Sequence, residues 1–479
     1  MSGQGLAERG LVEQLADFMV ATAFDQLPDE VVASVGQRVL DTIGICLAAC
    51  DLDTSAAISQ FVLNQGGAAQ ATAVGVAEPV PATWAALVNG TLAHSLDYDD
   101  THLPSVLHPS ATIVPACVAA AEHAGATGRE LIAAIAVGLE ACVRLGMAGY
   151  DVNGRNSTYF DKGQHATSIC GAIAGAGAVA ALIGLSSAAI ASAMGIAASM
   201  ASGIIESNRT GGNVKRLHCG WAAHAAVSAG QLAQLGFTGP PTVLEGRFGL
   251  FTALLDGKFD AGAISDGLGQ RWNVPAINFK PYPANHFTHA AIDAGLALRA
   301  RGLKPADIAS LQLGVAQAPL RTIGDPIEIK RRPDTGYQAQ FSGPYAVAAA
   351  LYGGHGLGLG LDDFTDDLAR DPDRRKLMAK VEVVADDRCD EIFPSQFPAV
   401  LTATTTSGQT LIERVDVNRG GPQRPLSDSE LAIKFRDNAG RCLGSGDVER
   451  IESAITALAD RENVRGLLYG ARNAGSLAT

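Results

Sequence analysis

Apolar residues recur with a helical period through most of the first 270 residues. Over residues 81–100 they form one clear stripe, which consists of Trp84, Leu87, Val88, Leu92 and Leu96. Spacings of three and four positions indicate an amphipathic helix. The same pattern predicts helices over residues 7–25, 28–50, 54–65, 110–123, 128–148, 167–184, 186–206 and 219–235. No segment before residue 270 alternates like a strand, so this part is predicted to be all-α.

The pattern changes after Trp272, where apolar and polar residues begin to alternate. Alternation predicts strands over 308–316 and 380–385, and a hairpin that joins 399–406 to 410–417. Helices are predicted between the strands, over 288–301, 342–353 and 374–380. From Ser427 onwards the chain is helical again, beginning with a capping box in SDSELAIKF.

These elements predict the domains and a mainly α fold class. We expect residues 1–271 to form the first part of an all-α domain and residues 272–418 to form an α+β domain. Residues 419–479 are predicted as C-terminal helices that complete the all-α domain, which would make the α+β domain an insertion. The length of 479 residues also favours two domains over one.

One apolar segment is long enough to cross a membrane. Residues 163–205 contain no Asp, Glu, Lys or Arg. However, they are mostly Ala, Gly and Ser, and Gly184-Leu185-Ser186-Ser187 combines a helix stop with a helix start. We interpret the segment as two fully buried helices packed through small residues, and we expect no membrane partner.

Composition and charge narrow the function classes. Hydrophobic residues make up 47% and charged residues 18%, which is typical of a globular protein. The net charge of −13 argues against a nucleic-acid partner, and an anionic substrate would need a locally basic site. The eight cysteines include no CxxC pair, and no signal peptide is visible. We therefore expect reduced cysteines and a cytoplasmic protein.

The stretch from Asn89 to Ser110 carries an unusual number of groups that could transfer protons. It contains three histidines and three aspartates, which are His94, His102, His108, Asp97, Asp99 and Asp100. On a helix through this stretch, Asp97 and Thr101 would be neighbours four positions apart, off the apolar stripe. A helix face that carries these polar side chains could line a binding cleft. The alternative is a solvated helix end, which we favour for Asp99 and Asp100.

A second feature is a histidine at the start of several predicted helices. His108 precedes Ser110, His165 precedes Thr167, and His289 follows Thr288. A Ser or Thr cap leaves backbone N–H groups and the positive helix end available to an anion. Two such junctions on one cleft would bind a dicarboxylate or tricarboxylate. For any single histidine, a hydrogen bond to its own loop is the alternative.

Cationic side chains stand in two stiff or glycine-flanked loops. Lys215 and Arg216 occur in GGNVKRLHCG, with His218 close by. Lys280 occurs in NFKPYPANHFTH, where prolines stiffen the chain and His286 follows. A lysine held in this way is well placed as an electrophile or a base. A solvated surface lysine is the alternative in each loop.

The sequence offers no recognisable metal or cofactor motif. HSLDYDDTH has suitable ligand types, but its spacing matches neither zinc signatures nor a calcium loop. A Walker loop, a convincing dinucleotide fingerprint and a GxSxG motif are also missing. The sequence therefore favours acid–base chemistry by side chains alone, with no cofactor.

Four motifs together resemble the MmgE/PrpD family, which includes 2-methylcitrate dehydratase, cis-aconitate decarboxylase and iminodisuccinate epimerase. The motifs are NGTLAHSLDYDDTH with the following HPS, KGQHATSICGA, VKRLHCG and FKPYPANHFTHAAIDA. The resemblance implies a large all-α domain built from both chain ends, an inserted α+β lid domain and a homodimer. It also implies metal-free and cofactor-free catalysis in a cleft between the domains. The family's site positions match Asp97, Thr101, His108, His165, Lys215 and Lys280.

The resemblance predicts a lyase that acts on a small dicarboxylate or tricarboxylate by handling a proton next to a carboxylate. In decarboxylases of the family a tyrosine follows the first lid strand, whereas this chain reads VAQAPLRTI there. We therefore expect 2-methylcitrate dehydration, with decarboxylation or epimerisation as alternatives. A metal-dependent hydrolase and a non-catalytic carboxylate binder are alternatives from other classes.

Roles can be assigned to the predicted site as a hypothesis. The catalytic residues would be His108, His165, Asp97, Lys215 and Lys280. His108 or His165 would move the proton, because histidine titrates near neutral pH. The lysines would stabilise the carbanion-like state, and Asp97 would orient a histidine or bind a substrate hydroxyl. The substrate-binding residues would be Thr101, His102, Ser110, Thr167, Arg216, His218 and His286.

Overall fold

The structure is a computed structural model that describes residues 9–474, with only the backbone described for Asn208, Arg209 and Asn473. The chain divides into two compact units. Unit 1 comprises residues up to Ile277 together with those from Asn438, and unit 2 comprises Asn278–Asp437. Helix accounts for 56% of the chain and strand for 8%, so the predicted mainly α fold class is confirmed.

Unit 1 is a helical body. Its helices up to Ile277 are α1 (Leu11–Ala21), α2 (Asp29–Ala48), α3 (Asp53–Gln65), α4 (Ala82–Ala93), α5 (Ser110–Ala124), α6 (Gly128–Ala148), α7 (Thr158–Asp161), α8 (Ala166–Leu182), α9 (Ser187–Met200), α10 (Ser207–Thr210), α11 (Lys215–Gln234), α12 (Leu250–Leu255) and α13 (Ala261–Ser265). Two short strands, β1 (Tyr150–Asp151) and β2 (Asn156–Ser157), pair antiparallel. The expectation of no strand in this part is therefore wrong, although the hairpin is small.

The centre of unit 1 is α8, which packs against α5, α6, α9 and α11. Its sequence consists almost entirely of Ala, Gly and other small residues, and helices with small surfaces can approach closely. A capping box between Thr127 and Glu130 fixes the start of α6, as predicted. Residues 7 and 8 of the first predicted helix lie outside the described part of the chain, and α1 itself begins at Leu11.

The apolar segment 163–205 forms two helices, α8 and α9, separated at residues 183–186. Helix α8 is buried over almost its whole length, but α9 alternates between buried and partly exposed positions. The prediction of two fully buried helices is therefore wrong for α9. Two other helices, α2 and α6, are long and apolar enough to span a membrane, and 72% and 89% of their apolar windows are buried inside the protein.

Unit 2 is an α+β unit around a four-stranded sheet with strand order β4-β3-β5-β6. The strands are β3 (Ile308–Val315), β4 (Val381–Ala385), β5 (Ala399–Thr405) and β6 (Thr410–Val415). The pair β3–β4 is parallel, whereas β3–β5 and the hairpin β5–β6 are antiparallel. Residues of β5 alternate between buried and partly exposed, as a half-covered strand requires.

The helices of unit 2 are α14 (His289–Ala300), α15 (Gln317–Ile323), α16 (Ile327–Lys330), α17 (Gly336–Ala339), α18 (Gly343–Tyr352), α19 (Asp366–Arg370), α20 (Pro372–Met378), α21 (Asp387–Ile392) and α22 (Asp428–Ala439). The last helix, α23 (Ser445–Thr456), belongs to unit 1. Short 3₁₀ helices complete the described elements at Phe24–Gln26, Val274–Ala276, His286–Thr288, Pro305–Asp307, Leu361–Asp363, Leu458–Asp460 and Tyr469–Asn473.

The unit boundaries differ from the predicted positions at residues 272 and 418. The structure divides the chain after Ile277 and again after Asp437, within α22. The reason for the second difference is apolar packing, because Leu426 and Leu431 form a cluster with Phe279 of unit 2. Residues 419–437 therefore belong with the α+β unit.

Candidate active site

The turn between α4 and α5 carries several of the predicted site residues. Helix α4 ends at Ala93, and His94 is its C-terminal cap. The chain then passes through Asp97, whose φ of 51° lies in the left-handed region. A residue in that region cannot continue a right-handed helix, and Asp tolerates it better than most. The predicted helix to residue 100 is therefore wrong, and Asp97 and Thr101 do not share a helix face.

Asp100 is the centre of a buried hydrogen-bond network in this turn. Its carboxylate accepts hydrogen bonds from the Arg38 guanidinium at 2.9 Å and from the Ser110 hydroxyl at 2.5 Å. Its backbone carbonyl accepts a hydrogen bond from His108 Nδ1 at 2.6 Å. Burial raises the pKa of the Asp100 carboxyl, against the opposing effect of Arg38 and Ser110. Asp100 thus ties α2, the start of α5 and the His108 ring together.

Two expectations for this stretch are wrong. Asp99 and Asp100 do not form a solvated helix end, because both are buried, with 3% and 2% of each residue exposed. Ser110 does not cap α5, since it is the first helical residue and its hydroxyl and N–H both face Asp100. Both groups of Ser110 donate to the Asp100 carboxylate, which needs hydrogen-bond partners because it is buried.

His108 has a defined orientation within the turn. Its Nδ1 donates to the Asp100 carbonyl, so in the neutral ring the lone pair is on Nε2. Thr101 Oγ1 lies 3.4 Å from the same Nδ1, and the Asp99 carboxylate lies 3.9 Å away. The His108 side chain is 18% exposed, compared with 3% for that of Asp99. The arrangement can therefore present one basic nitrogen for proton transfer.

His165 and His218 form a second pair of proton-transfer groups. The two Nδ1 atoms lie 3.1 Å apart. One of them must donate and the other accept, so the two rings are in opposite tautomers. When both rings are neutral, one presents an Nε2 lone pair and the other an Nε2–H. The pair therefore offers a base and an acid side by side.

The start of α8 differs from the predicted anion site. Helix α8 begins at Ala166, and His165 is the N-cap residue without a side-chain capping bond. Thr167 is therefore inside the helix, where its hydroxyl accepts a hydrogen bond from the His108 backbone N–H at 3.2 Å. The expectation of a Thr167 cap is wrong, but this bond links the two predicted junctions directly.

Four histidines of unit 1 lie in ring contact, and we call His94, His108, His165 and His218 the histidine cluster. Ring centroids are separated by 5.4 Å between His94 and His108, by 5.3 Å between His94 and His165, and by 5.1 Å between His165 and His218. Residues from α4, its following turn, the start of α8 and α11 therefore meet in one place.

The pKa values within the cluster are shifted in opposite directions. Burial lowers the pKa of His165 well below its ordinary value, and the nearby His94 and Lys215 lower it further. Burial, His94 and Lys215 also lower the pKa of His218, to about 4. For His94 burial acts in the same direction, but Cys219 and Asp99 outweigh it and raise the pKa to about 10. The surroundings thus favour the charged form of His94 and the uncharged forms of His165 and His218.

The predicted cations of unit 1 are at the start of α11. Lys215 is the first residue of that helix, and its charge affects both His165 and His218. Arg216 points to a different neighbour, because its Nη1 donates to Thr54 Oγ1 at 3.2 Å. Lys215 is therefore the predicted cation that adjoins the histidine cluster, while Arg216 contacts α3.

His102 belongs to the turn rather than to the histidine cluster. Its Nδ1 lies 2.8 Å from the Ser105 hydroxyl, and its backbone pairs with Leu107. Burial, followed by the charge of Arg38, lowers its pKa to about 3. A neutral, 1% exposed ring that bonds within its own loop fits a structural role better than the predicted substrate contact.

Lys280 and His286 belong to unit 2. Lys280 is 1% exposed, so the alternative of a solvated surface lysine is wrong. Its loop is held by a hydrogen bond from the Phe279 N–H to the Gly420 carbonyl, and Tyr282 donates to Asp293 at 2.6 Å. His286 packs against His289 and Phe397, with ring centroids 4.7 Å and 5.4 Å away.

The predicted site residues omit two groups that the structure makes central. His94 is one of the three histidines of the Asn89–Ser110 stretch and was assigned no role from the sequence, yet its ring contacts those of both His108 and His165. The sequence did not indicate that Arg38 belongs to the site, because Arg38 lies in the amphipathic pattern of α2 and its partner, Asp100, is 62 residues away. Within residues 9–474, no group of three His, Cys, Asp or Glu side chains has a geometry that could hold a metal ion.

Comparison with known proteins gives matches along most of the chain. Residues 13–261 match the MmgE/PrpD N-terminal domain, and residues 282–460 match the MmgE/PrpD C-terminal domain. The human cis-aconitate decarboxylase is 28% identical over 475 residues, covering 95% of this chain and 93% of that protein. The Aspergillus terreus cis-aconitate decarboxylase is 25% identical over 482 residues, covering 98% and 97%.

A dehydratase matches over a shorter region. The mitochondrial 2-methylcitrate dehydratase of Yarrowia lipolytica is 26% identical over 247 residues, which is 49% of this chain and 46% of that protein. The two decarboxylases thus match over nearly the full length of both chains, whereas this dehydratase matches over about half of each.

Proposed function

The chain belongs to the MmgE/PrpD family, and from this premise we propose that it is a lyase that decarboxylates a small unsaturated tricarboxylate of the cis-aconitate type. The observation that carries the choice of reaction is the match to cis-aconitate decarboxylases over nearly the whole of both chains. This proposal reverses the order of the sequence-based expectation, in which dehydration came first.

The chemistry needs one proton and a way to hold negative charge. When the carboxylate on the CH₂ group leaves as CO₂, the electron pair of the broken C–C bond forms a new terminal C=C bond. The electron pair of the former double bond is protonated at the carbon next to the remaining terminal carboxylate. Charge collects on that carboxylate before protonation, so nearby cations and N–H donors lower the barrier.

The residues of unit 1 suit these requirements. We propose that His108 in its protonated form delivers the Nε2 proton, while its Nδ1–H stays bonded to the Asp100 carbonyl. The ring is then left neutral with a lone pair on Nε2, and it regains a proton from solvent before the next turnover. Lys215 would bind a carboxylate beside the uncharged His165–His218 pair. The predicted roles of Asp97 and Thr101 with the substrate, and of Lys280 and His286, stay predictions, as do the homodimer and the cytoplasmic location.

Dehydration of 2-methylcitrate is the second candidate. It uses the same kind of step, because removal of a proton next to a carboxylate creates the same carbanion-like state before hydroxide leaves. The specific observation in its favour is the segment after β3, which reads AQAPLRTI over residues 316–323 and contains no tyrosine. Helix α15 occupies this segment.

The experiment is a substrate panel followed by NMR in D₂O. Purified protein is incubated separately with cis-aconitate, citrate, 2-methylcitrate and iminodisuccinate, with and without a chelator. We expect cis-aconitate to lose CO₂ and to gain one deuterium on the carbon next to a carboxylate, with no effect of the chelator. Turnover of 2-methylcitrate alone would identify the second candidate, and no turnover of any of the four would contradict both.

A variant pair tests the role of His108. His108→Ala should lower kcat about a hundredfold while the protein stays folded, because general acid catalysis typically contributes a factor of this size. His123→Ala is the matched control, since His123 is an exposed residue in the last turn of α5. Equal activity of the two variants would remove His108 from the mechanism.

A further inference from the structure

His94 lies between two other members of the histidine cluster and also contacts a buried carboxylate. Its ring centroid is 5.4 Å from that of His108 and 5.3 Å from that of His165. On one edge its Nδ1 lies 2.6 Å from a carboxylate oxygen of Asp99. The side chains of His94 and Asp99 are 1% and 3% exposed, so this pair is removed from solvent.

The surroundings of His94 favour its charged form. Burial acts against the charge, but Cys219 and Asp99 together raise the pKa of His94 to about 10. The titratable groups around this part of the cluster come from several elements, and they are Cys46, Asp99, Asp100, His108, His165, Lys215, His218 and Cys219. Of these, Asp99 is the carboxylate in hydrogen-bond contact with the His94 ring.

A positive charge at His94 acts directly on His165. Like charges at short distance disfavour each other, so a protonated His94 opposes protonation of His165. Burial is the larger cause of the lowered pKa of His165, and His94 is the next, ahead of Lys215. An uncharged His165 is what the bond to His218 requires if the pair is to offer one basic and one acidic Nε2.

We propose that the buried His94–Asp99 pair is a positioning element that keeps His165 uncharged, so that the His165–His218 pair stays hydrogen-bonded beside the substrate carboxylate that Lys215 would bind. The proposal rests on the proposed function only in its last clause, because the charge state of His165 can be measured without substrate. His94 is a positioning residue here, since it acts through His165.

The first test is the pH profile of His94→Gln. Removal of the charge takes away a cation that lowers the pKa of His165, so the pKa of His165 rises. His165 then becomes protonated at higher pH, and the acid limb of the kcat/KM profile moves to higher pH by about one unit. His224→Gln is the matched control, because His224 is on α11 but stacks on Trp84 and Trp221 rather than on the cluster. Its acid limb should coincide with that of the wild type.

The second test needs no turnover and therefore separates this proposal from the proposed function. The chain has ten histidines, so ¹⁵N-labelled histidine gives a tractable set of ring resonances. We expect His165 to be uncharged at neutral pH in the wild type, and to titrate at a pH at least one unit higher in His94→Gln than in the wild type. An unchanged His165 resonance in a folded variant would overturn the proposal, whether or not the enzyme turns over the substrate panel.

Asp99→Asn covers the case in which His94→Gln does not fold. Without the carboxylate, His94 loses a hydrogen-bonded partner that favours its charge, so His165 should titrate higher in this variant as well. A pair that only braces the turn would lower the melting temperature and leave the His165 titration where it is in the wild type. That result would also overturn the proposal.

Discussion

At the scale of single residues, Arg38 shows how a side chain outside the turn fixes its geometry. It donates to Asp100 at 2.9 Å and to the Ile277 carbonyl at 2.6 Å, and both charged side chains are nearly fully buried. Burial lowers the pKa of Arg38, against the effect of Asp100. The two charges are therefore stable inside the protein only as a pair.

The prediction at this scale concerns loss of one partner. Arg38→Met leaves the Asp100 carboxylate buried without its counter-charge, which should lower the free energy of unfolding by about 3–5 kcal/mol. Arg129→Met is the control, because its pair with Asp25 is exposed on both sides and should contribute at most about 1 kcal/mol. Denaturant unfolding of both variants checks this, and equal small losses would contradict it.

At the level of single residues, the candidate site residues could be predicted from the sequence better than their hydrogen-bond and ion-pair partners. His108, His165, His218 and Lys215 could be selected because histidines and lysines recur near helix starts. The burial of Asp99 and Asp100 could not be predicted, because runs of charge usually lie in solvent. A buried carboxylate is permitted only by a partner such as Arg38, and that partner comes from a distant helix.

At the scale of elements, the site depends on the close contact of α4 with α11. A side chain at Gly220 would overlap the Thr91 hydroxyl and the Leu87 carbonyl, and one at Gly90 would meet the Gly220 backbone. These two glycines allow the helix that ends beside His94 to lie against the helix that carries His218 and Cys219. Helices α4 and α11 can therefore approach closely because glycines, which have no side chain, lie at their contact.

Gly220→Ala should separate the two helices. We expect a loss of about 1–3 kcal/mol in the free energy of unfolding, typical of overpacking, together with lower kcat as His218 moves relative to His94. Gly446→Ala is the control, because Gly446 is on α23 with open space around it and should gain helix propensity. If both variants unfold at the same denaturant concentration, the close contact is not required.

The elements themselves could be predicted well where apolar periodicity was strong. Helix α6 has the predicted bounds, Gly128–Ala148, because a capping box and a long apolar stripe agree there. The end of α4 was placed too late, because Leu96 continues the apolar stripe although the helix stops at Ala93. Helix α11 begins at Lys215, before the predicted residue 219, because the polar residues of its first turn hide the apolar pattern.

At the scale of the whole molecule, both ends of the chain contribute to unit 1. The C-terminal segment is joined to the N-terminal helices by backbone hydrogen bonds, from the Gly128 N–H to the Arg461 carbonyl at 2.8 Å and from the Val464 N–H to the Ala126 carbonyl at 2.9 Å. The Cys442 thiol also donates to the Leu47 carbonyl at 3.0 Å. The helical body that holds the histidine cluster is thus completed only after unit 2 has been synthesised.

The last prediction tests this closure of unit 1. A Cβ at position 128 would overlap the Leu458 carbonyl, and backbone on both sides cannot move aside as a flexible side chain can. Gly128→Ala should therefore weaken the attachment of the C-terminal segment, with a loss of about 1–3 kcal/mol in unfolding free energy and faster proteolysis after residue 440. Gly36→Ala in α2 is the control, because nothing lies within 4 Å of the added group, and it should be neutral or stabilising. Cleavage at equal rates in the two variants would mean that the C-terminal segment adjusts to the added methyl group. Selective cleavage of Gly128→Ala with a parallel loss of turnover would show that activity of the histidine cluster depends on both ends of the chain.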